Sequence, residues 1–169
     1  MRISEIVRDP RPLAAALLLF SGCTAATPAY PTGQNRVLRE LIATPGLWAD
    51  RFIAVEGKLL ATEEGARGQL LLRIRAEDPD GEEHELAVGT QVEPPEGWLE
   101  EGNRLRLGGY VTPLSEEEDD ELAQRRGFLL LAVCVVNDSK DQALVLPEAV
   151  QTCQAWSGGA EPESLVPPR

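Results

Sequence analysis

Residues 99–111, LEEGNRLRLGGYV, contain a turn followed by a strand that decides the fold of this chain. Apolar positions 105, 107 and 111 alternate with Arg104, Arg106 and Tyr110, which is the two-residue period of a strand with one face in the core. Gly108 and Gly109 lie inside this strand, and glycine permits the tight bend that a small barrel needs to close. The stretch therefore predicts a bent barrel strand.

Four more strands are predicted on either side of this one. Alternation of apolar and polar side chains predicts three strands, at residues 53–59, 69–75 and 85–88. Glycine and proline predict the turns between them, at 63–68 and 78–81. Residues 128–136 are nine consecutive apolar residues, which is typical of a strand covered on both faces. A short helix capped by Asn35 and a final helix starting at Pro147 are the two elements that could cover it.

This pattern resembles the OB-fold, on three stretches: VEGKLL at 55–60, residues 99–111, and the lead-in ATPGLWADRF at 43–52. The resemblance implies a mainly β protein, a five-stranded OB-fold-like barrel with a short N-terminal helix and a C-terminal helix. The domain is predicted over 35–156, followed by a disordered tail at 157–169. A lipocalin-like barrel or a sandwich is the alternative. The fold alone does not give a function.

The amino-terminal residues resemble the signal of bacterial lipoproteins. Basic residues precede the apolar run 13–20, which ends in Leu19-Phe20-Ser21-Gly22-Cys23. The resemblance implies a signal peptide over 1–22, an acylated Cys23, a flexible tether over 23–34, and a lipid-anchored location in the cell envelope, facing the periplasm or exterior. An ordinary signal cleaved after Ala25-Ala26, which would release the protein, is the alternative.

Two further cysteines, Cys134 and Cys153, remain for a compartment that permits disulfides. We expect them to bond to each other if the final helix packs on the last strand. Two unpaired, buried cysteines are the alternative.

The formal charge of −12 argues against nucleic acid as a partner, because generic nucleic-acid binding depends on neutralised phosphates. The OB-fold resemblance nevertheless implies a strand order that places five cations on one outer face, where they would meet an anionic partner such as lipid head groups, a polyanionic glycan or an acidic protein patch. The alternative, which we favour, is that they pair with Glu56, Glu85 and other acids across the strands. The five are Lys58, Arg73, Arg75, Arg104 and Arg106.

Catalytic and metal-binding patterns are sparse. His84 is the only histidine and is interpreted as a solvated strand-edge residue, so no metal site and no cofactor are expected. The acidic run 116–121 is interpreted as a solvated loop, with calcium binding as the alternative. We therefore expect a non-enzymatic binding or scaffolding module for a cell-envelope protein or glycan. The alternative is an exported enzyme or enzyme subunit that uses surface carboxylates on a metal or sugar substrate.

Overall fold

The computed structural model describes residues 30–31, 35–65, 68–114 and 120–165. The strands are β1 Phe52–Glu64, β2 Leu70–Glu77, β3 Glu83–Thr90, β4 Arg104–Pro113, β5 Phe128–Asn137 and β6 Gln142–Val145. The α-helices are α1 Leu38–Ala43, α2 Glu121–Arg126 and α3 Val150–Ser157, and three 3-10 turns lie at Pro45–Trp48, Pro147–Ala149 and Pro162–Ser164. Within these ranges no helix has the length and apolar character that crossing a membrane requires. The predicted signal peptide, Cys23 and residues 116–119 lie outside the described residues.

The first five strands form a closed barrel. Their order is β3-β2-β1-β4-β5 with antiparallel neighbours, and β3 also pairs in parallel with β5 through Val88 and Leu130. This last pairing joins the two edges of the sheet. The predicted mainly β, five-stranded OB-fold-like barrel with a helix near each end is therefore confirmed. The strand β6, which the sequence analysis missed, pairs with the part of the β5 edge that β3 leaves free.

The barrel core is formed by the inward side chains of the strands together with α1. Leu38 and Leu41 of α1 are fully buried in this core, and Trp48 and Trp98 also belong to it. The prediction that Asn35 caps α1 is wrong, because the N-cap position is Val37 and no side chain caps the helix there. Asn35 has a different role in the groove described below.

The helix α3 covers the outer face of β4 and β5. Trp156 of α3 packs directly on Gly108, where a Cβ atom would come within 2.8 Å of the indole ring and 2.6 Å of Phe52. A disulfide joins Cys134 of β5 to Cys153 of α3, with their Cα atoms 5.9 Å apart. The predicted disulfide is confirmed, and β5 is buried on both faces as its apolar sequence indicated.

The folded part of the chain extends beyond 35–156 at both ends. Tyr30, which was assigned to the flexible tether, is buried with its ring 4.7 Å from that of Trp156. Leu165 packs against the same cluster, after the 3-10 turn Pro162–Ser164. Residues 158–165 were predicted to belong to a disordered tail, but in the structure they are ordered and pack against the domain.

Candidate anion-binding groove

Three cations stand in one row across the outer face of the barrel. Lys58 of β1 lies opposite Arg75 of β2 on one side and opposite Arg104 of β4 on the other. Like charges directly opposite each other in a sheet are destabilising. This arrangement, which we call the cation row, therefore needs an explanation other than fold stability.

The cation row lies in an open groove of about 730 Å³. Its walls come from β1, from the β2–β3 hairpin, from the segment before α1 and from the turn before β4. The lining residues are Asn35, Arg36, Glu56, Gly57, Lys58, Arg75, Glu77, Asp78, Pro79, Glu83, Gly102 and Arg104. None of these residues is aromatic, so the groove offers charges and hydrogen-bonding groups without a stacking platform.

The charges of the cation row are only partly neutralised. Arg104 pairs with Glu56 at 3.1 Å while its side chain remains 71% exposed. Arg75 contacts Glu85 at 3.4 Å and Glu83 at 3.9 Å, and its side chain is 43% exposed. Lys58 makes no ion pair with any residue of the described ranges. The predicted cross-strand pairing with Glu56 and Glu85 thus occurs, but it leaves the centre of the row unpaired.

The two remaining cations of the predicted face do not reach the groove. Arg73 donates to Asp120 at 2.9 Å through Nη1 and to Glu63 at 3.0 Å through Nη2, and these bonds raise its pKa. Arg106 donates through Nε to both carboxylate oxygens of Asp138, at 3.0 and 3.1 Å. The five-cation face is therefore corrected to a three-cation row, because Glu63 and Asp120 neutralise Arg73 and Asp138 neutralises Arg106.

The floor of the groove depends on Gly57 and Asn35. A Cβ atom on Gly57 would lie 2.5 Å from both the carbonyl oxygen of Arg75 and the Cγ2 atom of Ile74. Beside it, the Asn35 amide donates to the carbonyls of Glu56 and Glu77, each at 2.8 Å, and accepts from the Glu56 N–H at 2.7 Å. Asn35 therefore joins β1 to β2 where their own ladder ends.

At one end of the groove, the β2–β3 hairpin contains a buried histidine. His84 is 9% exposed, and its Nε2 atom lies 3.0 Å from Oδ2 of Asp78. The hydrogen bonds from His84 and from the backbone of Glu82 and Asp80 lower the pKa of Asp78. The interpretation of His84 as a solvated strand-edge residue is therefore wrong. Alternation along the strand could not reveal this, because the covering carboxylate comes from the turn.

Part of the outer face of β2 and β3, which commonly binds ligands in OB-folds, is covered by α2. Leu122 and Ala123 of α2 pack on Leu71, Ala87 and Leu129. Neither α2 nor α3 contributes a lining residue to the groove, so the cation row stays exposed.

The barrel has the topology of the OB-fold. No family model and no curated protein matches this chain. Among solved structures it is similar to the mitochondrial single-stranded DNA binding protein Rim1 from S. cerevisiae, at 14% identity and a TM-score of 0.39, over 52% of this chain and 93% of that one. It is also similar to the N-terminal domain of PriB protein from Thermoanaerobacter tencongensis, at 10% identity and a TM-score of 0.37, over 52% of this chain and 94% of that one.

Two predictions are corrected at this point. They are the expected module for an envelope protein or glycan and the exclusion of nucleic acid. The Rim1 structure is titled as a single-stranded DNA binding protein, and what this chain shares with it is the fold. In this chain, the exclusion failed because it used the net charge of −12, which says nothing of how charges are distributed. The groove places three cations together on a chain that is acidic as a whole.

Proposed function

We propose that this chain binds single-stranded nucleic acid non-enzymatically, with the phosphodiester backbone lying on the cation row. The observation that carries the proposal is the register of Lys58 with Arg75 and Arg104 in an open groove. A phosphate there would relieve the repulsion between the three side chains. Arginine binds phosphate through its planar fork and lysine binds it as a compact point charge, so the row combines both kinds of contact.

The groove predicts weak binding that does not depend on base sequence. Proteins that bind single strands tightly usually add aromatic stacking to a positive groove, and no aromatic residue lines this one. Glu56, Glu77 and Glu83 also lie in the groove and oppose an anion. We therefore expect dissociation constants of the non-specific kind, on the order of 10⁻⁶ to 10⁻⁴ M.

The location outside the cytoplasm, with Cys23 as a lipid anchor, remains part of the proposal. Its support is the resemblance of residues 19–23 to a lipoprotein signal. The disulfide between Cys134 and Cys153 is a second support, because such bonds persist in oxidising compartments. The nucleic acid would then be met at the outer side of a membrane.

The proposal is tested by fluorescence anisotropy with a labelled 20-nucleotide oligothymidylate between 20 and 200 mM salt. Three phosphate contacts predict a slope no steeper than about −2 for log K against log salt concentration, since each contact on a single strand contributes about −0.7 and screening of the net negative charge by salt makes the slope shallower. The triple variant K58Q/R75Q/R104Q should lose measurable binding.

The matched control is R39Q/R125Q/K140Q, which removes the same formal charge from exposed positions outside the groove. It should bind as the wild type does, apart from a small general charge effect. Equal affinity of both triple variants, or a wild type that does not bind at low salt, would contradict the proposal. A heparin oligosaccharide that displaces the strand completely at equal charge concentration would identify a general polyanion site instead, and would also count against it.

A further inference from the structure

The β2–β3 hairpin brings three possible metal ligands together beside the groove. One ligand atom each from Asp78, Glu82 and His84 lies within 4.8 Å of the other two. We propose that these three side chains bind a divalent transition ion of the Zn²⁺ type. The sequence analysis expected no metal because a lone histidine has no second histidine or cysteine to work with. The fold supplies carboxylates in their place.

The geometry of Asp78 and His84 is already close to that of a metal site. Oδ1 of Asp78 accepts the backbone N–H groups of Asp80 and Glu82, each at 2.9 Å, which leaves Oδ2 directed at Nε2 of His84. Ligating carboxylates are commonly held in this way by outer hydrogen bonds. The 3.0 Å between Oδ2 and Nε2 is near the separation of about 3.3 Å between two ligands of a tetrahedral zinc ion. The two atoms are therefore far enough apart to share an ion once the ring and the carboxylate turn so that both point to it.

The charge at the hairpin also points to a cation. The Asp78 side chain is only 2% exposed, and among the described residues its one ionisable partner is His84. Carboxylates removed from water are paired with a positive charge or coordinate a metal. A cation bound between Asp78 and His84 would supply that positive charge.

Glu82 provides the third ligand. It is exposed, and the described residues offer it no ion pair, so its carboxylate is free to turn toward Oδ2 and Nε2. One nitrogen and two oxygen ligands suit zinc, and they leave a fourth position for water or an exchangeable anion. Hard Ca²⁺ would gain little from the imidazole, because it prefers six to eight oxygen ligands.

The test is a titration of the untagged protein with ZnCl₂, followed by calorimetry and by long-range ¹H–¹⁵N correlation of the imidazole. His84 is the only histidine in the chain, so its ring signals are unambiguous. We expect one equivalent of Zn²⁺ to shift the Nε2 signal and H84Q to abolish binding. The exposed-site variant E82Q keeps the hairpin hydrogen bonds. It should weaken Zn²⁺ binding about tenfold or more, which is the usual effect of losing a residue that only supports a metal ligand.

The neighbouring variant E83Q is the control, because Glu83 has a similar exposure but belongs to no described ligand set. It should bind Zn²⁺ as the wild type does. Unchanged His84 signals at saturating Zn²⁺, equal affinities of E82Q and E83Q, or equal competition by Ca²⁺ would each overturn the metal site. These outcomes are independent of oligonucleotide binding, so the two proposals can fail separately.

Discussion

Gly57 determines how closely β1 and β2 approach at the floor of the groove. Gly57→Ala would place a methyl group 2.5 Å from the backbone oxygen of Arg75, which is too short for contact and cannot be relieved by a rotamer change. We expect a loss of about 1–3 kcal/mol in the free energy of unfolding, the usual cost of overpacking. Urea unfolding followed by circular dichroism measures this loss.

Gly46→Ala is the control for that measurement, because a Cβ at Gly46 would meet no atom within 4 Å. Its unfolding free energy should change by no more than about 0.5 kcal/mol, as for most surface substitutions. If both variants were equally stable, the close approach of β1 and β2 at Gly57 would be disproved.

Individual side chains show where sequence reasoning succeeds and where it stops. Strand alternation, together with the strand order that the OB-fold resemblance implies, places Lys58, Arg75 and Arg104 on one outer face, and the register confirms that placement. It cannot tell that Arg73 is neutralised, because Asp120 is 47 residues away along the chain. Asn35 was interpreted as a helix cap because its type is common there, while its true partners are the backbones of two distant strands.

Among the elements, α2 is held by an ion pair and a cap that share one carboxylate. Oδ1 of Asp120 accepts the Ala123 N–H at 2.7 Å, and the same side chain pairs with Arg73. Burial tends to raise the pKa of Asp120, but the hydrogen bonds from Arg73 and Ala123 outweigh it and lower the pKa below its ordinary value. Asp120 therefore stabilises the fold only while it is ionised.

Asp120→Asn should remove this contribution. The folded pKa is below the unfolded value of about 3.9, so the contribution is complete above that pH and is lost as the pH falls through the folded pKa. We expect D120N to be less stable by about 1–3 kcal/mol at pH 7, a loss typical of a charged hydrogen bond, and closer to the wild type at pH 2 to 3. Urea unfolding at pH 7 and pH 3 gives both values. A difference that stays constant between these pH values would contradict the ion pair.

The elements that the sequence analysis missed are short or mostly polar. β6 has only four residues and no sequence pattern typical of a strand. It is a strand because it pairs with β5. α2 follows an acidic run, and Leu122 and Ala123 are its only buried residues. By contrast, three elements with clear sequence signals were predicted close to their observed bounds. β4 shows alternation, β5 is a long apolar run, and α3 follows a turn that begins with a proline.

In the molecule as a whole, an acidic chain carries a local cationic surface. The net charge of −12 repels a polyanion from a distance, while the cation row attracts one that has reached the groove. Added salt therefore has two opposite effects on the affinity for a polyanion. It screens the long-range repulsion, which strengthens binding, and it weakens the short-range contacts, which reduces binding. The net charge of the whole chain therefore does not show how charges are distributed over its surface.

The most direct test is a ¹H–¹⁵N spectrum of the ¹⁵N-labelled protein during titration with unlabelled oligothymidylate. We expect the shifted backbone amides to concentrate along the groove, at Gly57, Lys58, Arg75 and Gly102, with little change at Leu71 and Ala87 beneath α2. Shifts centred on the surface around α2, or a spectrum that does not change at millimolar oligonucleotide, would contradict binding at the cation row.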